Sequence, residues 1–150
     1  MKKLFNIHQS ANSIDVALLI TRVGVSALML THGWPKLGML FSADPVQFPA
    51  VFGLSATASL ALAVFAEVLC SLLILVGLGT RLATIPLIIT MLVAVFLVHG
   101  ADPFAKQELG LLYLMPYIAL LLAGSGRYSL DHLLMQKVLR PAYVRPLSIQ

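Results

Sequence analysis

The run LSATASLALAVFAEVLCSLLILVGL, residues 54–78, is long and apolar enough to cross a bilayer, yet it carries one carboxylate, Glu67, near its middle. Crossing about 30 Å of hydrocarbon takes roughly 20 apolar residues in a helix. A charge at that depth costs at least ~2.5–3.5 kcal/mol on insertion scales, so Glu67 needs a partner, a wet cavity or a proton. Cys70 follows about one turn later on the same helical face. A single-span anchor has no physical need for such a carboxylate, whereas a bundle that uses its interior does.

The remainder of the 150-residue chain suits a bundle. Of its residues 59% are hydrophobic and 11% charged, and mean hydropathy is +0.94. Soluble domains average about 25% charged residues. The chain is therefore read as an all-α, polytopic membrane protein, one domain over residues 1–150, with no length left for a sizeable soluble domain. Its net charge of +4 comes from Lys and Arg at the ends of apolar runs. That pattern orients spans in a membrane and does not point to nucleic acid. The single cysteine, Cys70, excludes an internal disulfide. Lys2 and Lys3 resemble the basic end of a secretory signal, but no small-residue cleavage site precedes residues 32–36, so the first apolar run is expected to be retained.

Four spans are expected, at about residues 14–33, 54–78, 82–98 and 108–123, followed by a short amphipathic helix at about 129–140. Pro35 is expected to stop the first helix, with Trp34 at headgroup level. Residues 38–53 contain Phe41, Pro45, Phe48, Pro49 and Phe52. This segment is too apolar for a free loop and too broken for a span, so it lies on the membrane surface or dips into the bundle mouth. Residues 77–81 form a tight turn, and Pro116 interrupts the fourth span. Ser129 reads as an N-cap. Leu130, Leu133, Leu134 and Val138 then recur at helical spacing, as in a helix lying on a membrane. Four spans put both termini on one side with Lys2, Lys3, Arg81, Arg127, Lys137, Arg140 and Arg145, against Lys36 and Lys106 on the other. The positive side stays inside, which predicts cytoplasmic termini in a bacterial inner membrane.

Depth along the spans follows from a rise of about 1.5 Å per residue. Arg22 lies ~10 Å above a cytoplasmic start at Asp15, and Glu67 lies at ~10–15 Å on an antiparallel neighbour. An ion pair between Arg22 and Glu67 is therefore expected, since an unpaired buried charge is expensive. The alternative is that Arg22 snorkels to the headgroups while Glu67 is protonated. A second constellation gathers at the outer ends. His32 and Lys36 close the first span, His99 and Asp102 close the third, Glu108 opens the fourth and Tyr113 follows about a turn and a half inside it. Imidazoles titrating near pH 6.5 suit proton exchange with a carrier such as a quinone. An anion site fits the same residues, and interfacial solvation alone also accounts for them. Metal ligation is disfavoured because no HxxxH or HxxE spacing fixes ligands on one helix.

Several stretches together resemble the DoxX family of small four-span membrane proteins. They are Arg22-Val23-Gly24, His32-Gly33-Trp34-Pro35-Lys36, Ala66-Glu67-Val68 and Gly77-Leu78-Gly79-Thr80-Arg81, then 108–114 and 124–131, over about residues 15–134. The loop 38–53 departs from the pattern. The family is similar to the DoxD subunit of thiosulfate:quinone oxidoreductase. The resemblance implies a redox-linked subunit that meets quinone near the outer polar cluster, with a redox partner protein or a second copy beside it. No haem-type histidine pair, flavin loop or nucleotide motif occurs in the chain, so any redox cofactor would be a lipid-soluble carrier or belong to a partner. The reading from another class is a non-enzymatic carrier of a small molecule or lipid, or an assembly subunit.

Overall fold

Two glycines in the left-handed region, Gly77 (φ +74°) and Gly79 (φ +58°), turn the chain sharply between its second and third helices. Only glycine reaches such angles without strain, and the expected turn at 77–81 stands. The computed structural model describes residues 11–138. Its elements are α1 (Ala11–Leu40), α2 (Ala56–Val76), α3 (Thr80–Val98), α4 (Phe104–Ala123) and α5 (Leu130–Val138). All regular structure among the described residues is helical. The outer part of the tail helix expected at 129–140 lies beyond the described residues.

Helices α1, α2 and α3 are long and apolar enough to cross a membrane. Their outward faces carry large apolar side chains such as Leu62, Phe96 and Leu82, the last 75% exposed. Burying such surface in lipid removes the cost of exposing it to water. Helix α4 has 20 residues, so it also has the length, but Lys106, Gln107 and Glu108 occupy its first turns. It packs chiefly along α3. The interior is a shared cluster that includes Met29 of α1, Cys70 and Ile74 of α2, Leu87 of α3, and Tyr117 and Leu120 of α4.

The first helix differs from expectation. Pro35 does not end it: α1 runs on to Leu40 with Pro35 inside. Proline within a helix costs about 3 kcal/mol, but a chain packed in apolar surroundings has few alternatives to helical hydrogen bonding. Continuing the helix also carries Lys36 onto the face of α2. Pro86 and Pro116 are likewise inside helices.

Beyond α1, the loop folds back on the bundle. Val46 and Phe48 pack with Leu37 and Leu40 against Leu60, Val64 and Val68 of α2. Ser55 caps α2 by accepting from the Ala58 N–H at 3.2 Å. At the opposite end, Ser129 accepts from the His132 N–H at 3.2 Å, the cap expected for α5. Asp131 faces inward: its carboxylate accepts from the N–H groups of Gly79 (2.7 Å) and Thr80 (3.3 Å), capping α3. A carboxylate there also complements the positive N-terminus of the helix dipole.

Close approach of α1 to α2 depends on Gly33. A β-carbon there would sit 2.8 Å from Val68 Cγ2 and 3.0 Å from the Glu67 carbonyl carbon. Gly33→Ala is expected to destabilise the fold by ~1–3 kcal/mol through overpacking. Gly24→Ala, where a β-carbon meets nothing within 4 Å, should instead be neutral or stabilising by up to ~1 kcal/mol. Thermal unfolding of both variants in detergent distinguishes the two effects.

Candidate functional site

The continued α1 and the middle of α2 meet at a charge pair. Lys36 Nζ donates to Glu67 Oε1 at 2.5 Å. Glu67 is 2% exposed, and Lys36 is partly exposed and lies over the Phe48 ring at 5.9 Å. A charge-assisted bond in a region of low dielectric compensates the carboxylate in place of water. Glu67 stands in a π-helical turn, Phe65–Cys70, and a second such turn, Ala94–Val98, lies across from it on α3. π-Turns insert an extra residue into a helix and are common at functional sites.

Two cavities share this pair. The smaller, about 130 Å³, lies among α1, α3 and α4 with polar groups from His32, Lys36, Glu67, His99, Lys106 and Tyr113 on its walls. The larger, about 390 Å³, is an apolar slot walled by Phe48, Phe52, Leu62, Ile89 and Val93, and it also reaches Lys36, Glu67 and His99. Phe52, Leu62 and Ile89 are exposed on the outer face of the bundle whereas Glu67 is buried. The slot thus runs from the lipid-facing side between α2 and α3 to the ion pair.

His99 is oriented by the α3–α4 connection. Its Nδ1 lies 2.8 Å from Asp102 Oδ2, and Lys106 Nζ donates to the same oxygen at 3.4 Å. The Gln107 side-chain amide donates to the carbonyls of His99 (2.9 Å) and Asp102 (3.2 Å). The hydrogen bond from His99, with help from Lys106, holds the Asp102 carboxyl below the usual carboxylate range. An ionised carboxylate only accepts, so Nδ1 carries the proton and Nε2 is the acceptor in the neutral ring. His32 meets Tyr113 edge-on at 5.9 Å between ring centroids, and Tyr113 stacks on Tyr117. Tyr113 is buried and so faces inward.

The expected pair of Arg22 with Glu67 does not form. Arg22 is buried at 1% exposure, but its guanidinium donates to the carbonyls of Ile74 (3.3 Å) and Tyr128 (2.5 Å). Arg22 faces the end of α2, while Glu67 packs beside Gly33, eleven residues further along α1. That separation is about 16 Å of helix. Glu108 also stands apart: it is exposed on α4 and lines neither cavity. His32, Lys36, His99 and Tyr113 do converge, and Asp102 joins through His99. Among the described residues no group of three or more His, Cys, Asp or Glu is placed to hold a metal ion.

The missed partner of Glu67 left a trace in the sequence. Arg22, Ser26, Met29, Gly33 and Lys36 follow one another at three- and four-residue steps, a single stripe along α1. Allowing the helix to pass Pro35 extends that stripe to Lys36. Lys106 and the lining from Met91 and Gly110 carried no comparable signal.

Replacing Lys36 with Met strands a buried carboxylate and is expected to cost ~3–5 kcal/mol. Lys36→Met combined with Glu67→Gln should recover part of that loss. A double-mutant cycle on melting in detergent tests the pair. The Asp102 contact has a definite pH sense. Because the folded pKa is depressed, its stabilisation is present above the ordinary carboxylate range and is lost as pH falls through the folded value. Acid titration of melting temperature should show this loss in the wild type and not in Asp102→Asn.

Comparison with known proteins follows the same core. The model of the DoxX family matches residues 17–100, which include Arg22, His32, Lys36, Glu67 and His99 and end before Asp102. This is shorter than the stretch 15–134 over which the sequence resembles the family. An uncharacterized membrane protein of Mycobacterium tuberculosis is 29% identical over 137 residues, covering 81% of this chain and 83% of the relative. An uncharacterized protein of Haemophilus influenzae is 29% identical over 127 residues, covering 80% of this chain and 92% of the relative. No solved structure matches. With more than half of its length matched, and with the paired α1 and α2 inside that match, the chain belongs to the DoxX family of membrane proteins.

Proposed function

We infer that the protein is a redox-linked membrane subunit that receives a lipid-soluble quinone in the slot between α2 and α3. The observation that carries this reading is an apolar cavity of about 390 Å³ ending at Lys36, Glu67 and His99. A quinone needs apolar walls for its tail and ring, a donor for each carbonyl, and groups that exchange protons when it is reduced. Lys36 supplies a positive donor, His99 a titratable ring, and Glu67 a carboxylate. The electrons would come from a partner protein. Tyr113 and His32 line the smaller cavity behind the pair and would relay protons there.

In this reading α4 is the fourth span. At 20 residues it is about 30 Å long, and its packing along α3 and the exposed Leu112, Met115 and Leu122 support that place. Leu130, Leu133 and Leu134 of α5 are exposed, which supports a helix resting on the membrane surface. The excess of Lys and Arg at that end favours cytoplasmic termini in a bacterial inner membrane. A carrier that exposes Glu67 alternately to both sides is the other reading. Buried Ile74, Leu120 and Arg22 on the far side of Glu67 favour the first.

Binding of a short-tailed quinone to the protein in nanodiscs tests the proposal. Saturable binding is expected in the wild type. Leu62→Trp or Ile89→Trp, which fill the slot, should weaken it at least ~tenfold, about 1.4 kcal/mol. Leu82→Trp, exposed elsewhere on α3, should not. No saturable binding, or equal binding by all variants, would refute the quinone reading.

A further inference from the structure

Six buried side-chain polar atoms have no hydrogen-bond partner among the described residues: Arg22 Nε, Ser26 Oγ, Glu67 Oε2, Ser71 Oγ, Thr80 Oγ1 and Tyr117 Oη. All but Thr80 belong to one seam between α1, α2 and α4. Arg22 and Ser26 are four residues apart on α1, as are Glu67 and Ser71 on α2, and Tyr113 and Tyr117 on α4. Arg22 meets the Ile74 carbonyl and Gly33 packs beside Glu67. Ser26, between them, therefore lies at the level of Ser71. Tyr117 comes close to Ser71, and Tyr113, stacked on Tyr117, lines the small cavity beside Glu67.

Leaving a polar group dry and unpaired costs about 1–3 kcal/mol, and a domain's whole stability is only ~5–15 kcal/mol. Several such atoms on one seam are not a tolerable accident. Buried water is the usual remedy, at about one molecule per 27 residues with some three hydrogen bonds each. We propose that the α1–α2–α4 seam holds a closed file of water molecules that solvates the free oxygen of Glu67, runs past Ser71, Tyr117 and Ser26, and is sealed by the Arg22 guanidinium.

The seal follows from how Arg22 is held. Carbonyls of Ile74 and Tyr128 fix its guanidinium, and a β-carbon at Gly77 would run into it. A fixed cation in a narrow polar passage repels protons. The other ionisable groups facing the seam are Lys36 and Tyr113 at the Glu67 end, Cys70 along it, and Asp131 near Arg22. Glu67 is thus open to the cavity and the slot, but closed to proton passage across the bundle. This holds whether or not the slot takes a quinone.

Two measurements decide it. Proteoliposomes with an entrapped pH-sensitive dye should hold a pH gradient as long as protein-free vesicles do. Arg22→Met should dissipate it several-fold faster, and adding Ser26→Ala and Ser71→Ala to that variant should restore tightness. Separately, Ser26→Ala and Ser71→Ala alone should each lower the melting temperature in detergent, because bridging hydrogen bonds are lost. Deleting a dry orphan hydroxyl would raise it. A rise in either serine variant, a leaky wild type, or a folded Arg22→Met protein as tight as wild type would overturn the proposal. Should Arg22→Met fail to fold, the serine variants decide the question alone.

Discussion

A carboxylate set in the middle of an apolar helix must be neutralised or solvated, and in this bundle Lys36 reaches it. Much of the surrounding architecture makes that contact available. Helix α1 continues through Pro35 so that Lys36 projects toward α2. Gly33, one turn earlier, lets the two backbones come close enough for a lysine to span the gap. The loop then folds back and lays Phe48 beneath the ammonium group. Each feature carries a local cost or an unusual geometry, and together they shelter one charge pair.

A second clamp works at the other end of the same stripe. Arg22 ties α1 to the last turn of α2 and to the segment leading into α5, and Asp131 ties α5 to the start of α3. Apolar packing between helices is weakly directional, and lipid offers a helix nearly as good a neighbour as another helix does. Two polar contacts at opposite ends of that stripe remove that freedom. They set both the rotation and the vertical register of α1 against α2. Placing buried Arg22 and partly buried Lys36 in this way accordingly serves specificity of packing as well as charge balance.

The Lys36–Glu67 pair is also a boundary. On one side is a small polar cavity bearing His32, Tyr113 and Lys106, and on the other an apolar slot opening toward lipid. Ala94 and His99, at the two ends of the π-turn in α3, belong to both. A proton-bearing group placed at such a wall can serve a molecule dissolved in the membrane without being exposed to water. The DoxX match takes in His32, Lys36, Glu67, Ala94 and His99 but not Lys106 or Tyr113, and it leaves the chemistry to be read from the site itself.

Of the four spans expected from hydropathy, three stand as membrane-length helices, and glycine and serine marked the turn between α2 and α3 and the cap at Ser129, because span length and residue preferences of this kind are local properties. The convergence of His32, His99 and Tyr113 was also legible, since residues near helix ends of similar depth fall at similar heights. Which cation answers Glu67 was not. That depended on whether Pro35 breaks α1, and proline's effect is set by what surrounds the helix rather than by its own sequence. The same holds for Glu108, whose rotation away from the cavity follows from how α4 packs on α3. Residue spacing determined the stripe Arg22-Ser26-Met29-Gly33-Lys36. Only the packed bundle decided which end of it faces the carboxylate, because a shift of a few turns between two apolar helices changes little until a charge must find its partner.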